Sequence, residues 1–228
     1  MKPIGWVSAL SAALVISNLA TAPRARAADD LVPIPLTLPA ATLKGTPEDL
    51  PAGPNIEPRS DKPRAAFKAP KGTKNVALKK KVAGSDARPF TGTYDQVTDG
   101  EKEAFDDQVV EMRRGVQWVQ VDMGADFNLY AVVLWHDHRW LQVYKCVLVQ
   151  VADDPDFTQN VRTVFNNDMD NSAGRGIGTD KQYFETQEGK LINAKAVKAR
   201  YLRAYSKGSN LSAINCIQEV EVYGLPAK

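Results

Sequence analysis

The chain has 228 residues, 43% of them hydrophobic and 25% charged, with a formal net charge of +2. That is enough apolar material for one globular domain and something besides, because single domains most often run to roughly 100–150 residues. The near balance of charge argues against nucleic acid as a partner: Lys and Arg are scattered among Glu and Asp, and no aromatic platform accompanies them.

Residues Met1–Ala27 read as a secretory signal. Lys2 supplies a short positive start, Ile4 to Ala22 an apolar run, and Ala25-Arg26-Ala27 a small-x-small cleavage site, so the mature chain is expected to begin at Ala28 in a secreted or periplasmic protein. An uncleaved membrane anchor is the rival reading, since the run is nearly long enough to span. Ser8, Ser11, Ser17 and Asn18 within the run favour cleavage. A lipid-anchored N-terminus would need a cysteine there, and the first is Cys146. Removing this segment takes away three basic residues and no acids, which leaves −1. The balance is uneven: Ala28 to Lys81 carries ten Lys/Arg against six Asp/Glu, and Val82 to Lys228 sixteen against twenty-one. A basic arm precedes an acidic domain, and the arm is suited to lie against it.

The arm, residues 28–74, has prolines at 33, 35, 39, 47, 51, 54, 58, 63 and 70. Each fixes φ, removes an amide donor and biases its predecessor toward extended geometry, so an extended tether of polyproline II character is expected. Leu31, Leu36, Leu38, Leu43, Leu50, Ile56 and Phe67 exceed what a spacer needs, and some are expected to pack on the domain.

The domain, residues 75–228, opens at Asn75-Val76-Ala77-Leu78 and has its densest apolar alternation between Val116 and Val151. Val119, Val121 and Met123 fall on one face against Trp118, Gln120 and Asp122. Tyr130, Val132 and Leu134 oppose Ala131, Val133 and Trp135, and Val147, Val149 and Val151 oppose Leu148 and Gln150. Three successive period-2 stretches without a helical window predict an antiparallel sheet core. Asp99-Gly100 and Lys207-Gly208-Ser209 supply turns, so an all-β sandwich is expected.

Five blocks then stand in order: Thr98-Asp99-Gly100, Trp118 to Gly124, Val149 to Asp154, Arg200-Tyr201-Leu202-Arg203 and Glu219 to Gly224. In order and spacing the segment Asn75–Gly224 resembles the discoidin family, also called coagulation factor V/VIII C-type, of the galactose-binding-like superfamily. With its Pro-rich lead-in, the chain looks like the single-domain discoidin-like proteins that some bacteria secrete. The resemblance implies an antiparallel jelly-roll sandwich with a ligand site on loops at one end, and first and last strands that pair. Lys79-Lys80-Lys81 departs from the Lys-Pro that usually continues the first strand. Many members carry a structural calcium on an Asp-Gly turn and a last-strand glutamate; Asp99 and Glu219 match those positions, and calcium accepts a carboxylate pair completed by carbonyls. The alternative is that Asp99 caps a turn and Glu219 lies on a solvated strand face.

The resemblance also brings Gly84–Tyr94, Asp106–Gly115 and the loop after Trp135 together, so that Phe90, Tyr94, Arg113, His136, His138 and Trp140 are candidates for one sugar-binding rim. Aromatic faces stack on the ring of a sugar while His and Arg bond its hydroxyls. Packing of the tryptophans in the core is the rival reading, as is a transition metal chelated by the two histidines. Asn166–Ser172 fails the EF-hand template, with Ala173 at the glycine position and Thr179 at the closing glutamate, and reads as a long Asx/Gly turn. Cys146 and Cys216 are expected to pair in an exported chain, two buried thiols being the alternative. No nucleophile elbow, His-Glu-x-x-His or Walker loop occurs. The sequence thus points to a secreted, noncatalytic module that recognises carbohydrate of the cell envelope or extracellular polysaccharide. Its rivals are a protein-binding adhesion or assembly module tethered by the arm, and attachment to a membrane surface through Phe90 and Trp140, which the acidic domain disfavours on anionic lipid.

Overall fold

The computed structural model describes residues 1, 30–41, 50–60, 62–105 and 107–227. The expected signal segment beyond Met1 and Leu43 of the arm lie outside the described residues. In chain order the strands are β1 (Leu31–Pro33), β2 (Lys68–Pro70), β3 (Lys74–Asn75), β4 (Lys81–Gly84), β5 (Val110–Met112), β6 (Gln117–Trp135), β7 (Val143–Tyr144), β8 (Leu148–Ala152), β9 (Arg162–Asn166), β10 (Tyr183–Phe184), β11 (Lys190–Ser206), β12 (Asn215–Ile217) and β13 (Glu219–Pro226); a 3-10 turn covers Tyr94–Thr98.

Two long antiparallel strands, β6 and β11, organise the domain. Their ladder is broken twice, and there both bend: β6 at Gly124 (φ 83°), β11 at Lys195 and Ala196 (φ 53° and 59°). Such bulges let a strand leave one sheet and enter the next without losing its pairing. The limbs before and after the bend take different neighbours. Residues 117–122 of β6 pair with β4 and with the end of β11, which continues to β8 and β9. Residues 127–135 pair with β13, which carries β3, and with the start of β11. The two predicted stretches, Trp118–Met123 and Tyr130–Trp135, are therefore limbs of one 19-residue strand.

The faces follow the alternation. Val119, Val121, Met123, Val149, Val151 and Leu202 from one layer meet Leu129, Val132, Leu134, Val220 and Val222 from the other in a single buried core. The fold is thus an antiparallel β-sandwich, closed by β3 on β13 as the resemblance implied, with Asn75 opposite Tyr223.

The opposite face of the second limb is just as apolar, and the arm covers it. β1 and β2 pair as a ribbon, and Ile34 and Ala69 bury against Ala131, Val133, Trp135 and Tyr223, with Leu36, Phe67, Tyr130 and Leu191 at the margin. Proline keeps the arm extended, and its apolar side chains make it a third layer. Leu31 and Leu38 remain exposed.

Cys146 and Cys216 do not bond; both are free and buried. Cys146 lies beside the 168–172 loop with its Sγ 3.4 Å from Ser172 Oγ, whereas Cys216 sits on β12 opposite Glu111. The two thiols share no neighbour among the groups that perturb them, and burial raises both, Cys216 to about 12. Titration with a thiol reagent under nonreducing conditions is expected to count two thiols per chain after unfolding and almost none before; zero after unfolding would mean the bond forms.

Candidate functional site

Loops between β4 and the 3-10 turn, β5 and β6, β6 and β7, and β11 and β12 are tied together by polar contacts. Asn215 Nδ2 donates to the carbonyls of Arg113 (2.7 Å) and Gly115 (2.9 Å). Ser209 Oγ lies 2.6 Å from Gln142 Oε1, and Gln142 Nε2 donates to Asp137 O at 2.9 Å. Phe90 N donates to Glu111 O at 2.7 Å.

The anchor of this end is Asp86, which sequence reasoning did not single out. Its buried carboxylate accepts the Arg113 amide (2.7 Å), the Arg88 amide (3.0 Å) and the Arg113 guanidinium. Burial alone would raise its pKa, and these bonds together hold it below the usual carboxylate range. Tyr94 donates its hydroxyl to Asp86 O at 2.7 Å, behind the surface. Gly84 is required here, because a Cβ would overlap the Tyr94 ring. With its guanidinium so held, Arg113 places its charge 5.5 Å from the centroid of the Phe90 ring. Phe90 is 60% exposed, Trp140 62%, and the Arg113 side chain 49%. An apolar plane beside fixed hydrogen-bond donors is what a sugar ring requires.

The two histidines do not belong to a rim; both are 0% exposed. His136 stacks on Tyr144 at 3.8 Å and spans from Cys216 O (2.7 Å) to the Tyr183 hydroxyl (3.1 Å). Donation to the carbonyl from Nδ1 leaves Nε2 to accept from the tyrosine, and burial lowers its pKa to about 4, so the ring is neutral. His138 Nε2 donates to Lys102 O at 2.9 Å. Both rings satisfy interior polar groups, so the expected six-residue rim reduces to Phe90 and Arg113, with Tyr94 behind them and Trp140 on the neighbouring loop. Nothing in the sequence marks Asp86, because its partners are two backbone amides and a side chain 27 residues away.

Asp168 accepts the amides of Ser172 (3.0 Å) and Ala173 (2.7 Å) and the Ser172 hydroxyl (3.2 Å), so its loop is a self-satisfied Asx turn. Glu219 is different. It is fully buried, neither carboxylate oxygen has a hydrogen-bond partner, and burial, then Glu221 and Asp99, push its pKa up to about 9. Burial also raises Asp99. Nearby, Lys102 Nζ bonds Glu221 at 2.6 Å, and the Tyr223 hydroxyl donates to Glu221 at 2.7 Å. With Glu219 protonated at neutral pH in the absence of a cation, a divalent ion would have to displace that proton to take the carboxylate as a ligand. Among the described residues no three His, Cys, Asp or Glu side chains converge as ligands, so a cation bound by Asp99 and Glu219 would have to complete its shell with backbone carbonyls and water.

No family model matches the chain, and no curated protein matches it. Among solved structures, it is similar to chitosan-binding module 1 of a chitosanase/glucanase from Paenibacillus sp. IK-5, at 21% identity over 66% of this chain and 98% of that one, TM-score 0.47. It is similar also to a fucose-binding module from Streptococcus pneumoniae (16% identity, 65% and 96% covered, TM-score 0.45). A third is a Clostridium perfringens module in complex with GlcNAc-α-1,4-galactose (15% identity, 68% and 96% covered, TM-score 0.47). Similar structures also include a family 89 glycoside hydrolase from Clostridium perfringens, at 17% identity over 67% of this chain and 15% of that one, TM-score 0.49.

Proposed function

We propose that the chain is an exported, noncatalytic carbohydrate-binding module that holds its ligand on the loop end of the sandwich, with calcium as a structural ion at Asp99 and Glu219. The observation that carries the ligand site is the exposed Phe90 ring beside an Arg113 guanidinium fixed by buried Asp86. A fixed cation next to an open aromatic face loses little side-chain entropy on binding. Phe90 takes the C–H face of a sugar, Arg113 its hydroxyl oxygens, and Trp140 adds a second apolar plane. Calcium, when bound, would supply charge to Glu219 and fix the Asp99-Gly100 turn.

A glycan array that includes chitosan oligomers, fucosides and GlcNAc-α-1,4-galactose tests this reading. The protein is expected to bind a defined glycan set. Phe90→Ala and Trp140→Ala each weaken that binding roughly tenfold or more without lowering the melting temperature, because both side chains are mostly exposed. A folded protein that binds no glycan with calcium or with chelator removes the proposal, and binding unmoved by both substitutions moves the site elsewhere.

A further inference from the structure

Three of the four tied loops at the end of the sandwich each hold one large apolar side chain in the open. Phe90 and Trp140 are two of them, and Leu211, on the loop between β11 and β12, is the third, 64% exposed. Its loop has a set shape. Ser209 N donates to Ser212 O (2.7 Å), and the Ser209 hydroxyl oxygen accepts the amides of Leu211 and Ser212, both at 3.1 Å, which closes a tight turn with Leu211 in it. The same loop is tied on both sides to those that carry the proposed ligand groups. Toward Trp140, Asn210 N donates to Val143 O (3.0 Å), Val143 N donates to Asn210 Oδ1 (2.6 Å), and the Ser209 hydroxyl donates to Gln142 Oε1 (2.6 Å). Toward Arg113, Gly208 N donates to Asn215 Oδ1 (2.9 Å), whose Nδ2 reaches the Arg113 and Gly115 carbonyls.

A single exposed leucine is ordinary on a protein surface. This one stands in a turn, where Asn, Asp, Ser or Gly serve the backbone better, and its side chain adds little to folding because most of it stays in water. Its place beside the two open aromatic rings gives it another use. An aliphatic side chain has no π face for a sugar ring and no hydrogen bond for a hydroxyl, so a hydroxyl pressed against it loses water and gains no partner. A methyl group gains there instead, because both surfaces leave water together. Natural saccharides carry such a methyl chiefly as an N-acetyl group or as a 6-deoxy carbon. The turn holds Leu211 in place beforehand, so little ordering is left to oppose the contact.

Resting on the loop-end reading, we infer that Leu211 is a specificity-determining contact of that site, which selects a saccharide carrying a methyl group over its hydroxyl-bearing counterpart.

The test is calorimetric titration with two matched pairs of sugars. Tri-N-acetylchitotriose and cellotriose differ in N-acetyl against hydroxyl, and L-fucose and L-galactose in methyl against hydroxymethyl. In at least one pair the methyl-bearing sugar is expected to bind roughly tenfold more tightly, and the pair that shows the preference names the source of the methyl. Leu211→Ala is expected to cut the preference to about twofold or less by weakening the methyl-bearing sugar alone, with an unchanged melting temperature, whereas Leu211→Met keeps an aliphatic contact and most of the preference. Equal binding within both pairs, or a preference that survives Leu211→Ala, overturns the role of Leu211. Binding that Phe90→Ala weakens but that shows no methyl preference overturns that role and leaves the loop-end site standing. No binding of any of the four sugars also overturns it, and the loop-end site falls too only when the glycan array is blank.

Discussion

Glu219→Gln is expected to lessen the fall of stability with rising pH in metal-free protein, the equally buried Glu185 carrying a further part of it, and to remove all of the calcium response. The wild-type carboxyl is buried without a partner, and burial, with Glu221 and Asp99 adding to it, raises it to about 9 in the folded state from 4.5. Between those values the folded chain keeps a proton that the unfolded chain has lost. Stability is therefore greatest below the unfolded pKa and falls as pH rises to about 9, by up to about 1.4 kcal/mol per pH unit, after which the slope ends. Glutamine carries no proton to lose, so its profile is flat through this window apart from other groups. At low pH the two proteins differ only by the cost of seating an amide. Toward pH 8 the variant is relatively the more stable.

Calcium acts on the same group with the opposite sign. Binding requires the charged carboxylate, so the ion displaces a proton and its affinity rises about tenfold per pH unit through the window. Melting temperatures taken from about pH 5 to about pH 9, with millimolar calcium and with chelator, measure both effects. A calcium shift that grows with pH in wild-type and is absent in Glu219→Gln is the expected result. A flat wild-type profile in chelator would mean that Glu219 is ionised in the folded protein, held by a cation such as Lys102. A calcium shift that survives in the variant would place the ion elsewhere.

How far the sequence reached depended on where each residue's partner lies along the chain. The faces of β6 were legible, because alternation is a local property: Val119, Val121 and Met123 and then Val132 and Leu134 enter the core as their spacing predicts. The corner at Gly124 was not, because a bulge preserves the apolar pattern on both sides of it and hides that two stretches are one strand. The histidines failed for a different reason. Next to exposed Trp140 they read as surface groups, yet the partners of His136 are 47 and 80 residues away, Tyr183 and Cys216. Cys146 and Cys216 were read from compartment chemistry, which says whether a bond would persist and nothing about whether two strands bring the sulfurs together. Asp86 was invisible for a related reason: besides the amide two residues on, what makes it matter is the amide and guanidinium of Arg113, 27 residues away.

Removing residues 28–70, or detaching them with Ile34→Asp, is expected to have the largest effect on stability of any change to the arm. Ala131, Val133, Trp135 and Tyr223 are essentially inaccessible because Ile34, Ala69, Leu36 and Phe67 lie on them. Uncovering a few hundred Å² of apolar surface costs on the order of 5 kcal/mol at about 25 cal/mol per Å². The face also holds the buried Lys102–Glu221 pair, whose ammonium lies 3.5 Å from Thr37 Oγ1 of the arm and 5.3 Å from the Trp135 ring centroid. Opening that layer lets water reach a pair held in a low-dielectric setting. Trp135 reports the event, since its indole keeps the bond to Gln187 O (3.0 Å) on one side and loses its cover on the other. The expected result is a red-shifted tryptophan emission and a markedly lower melting temperature for both variants, with Ile34→Asp keeping the chain intact should the truncated protein not fold. An Ile34→Asp protein with unchanged emission and melting temperature would mean that the arm is a loose tether in solution.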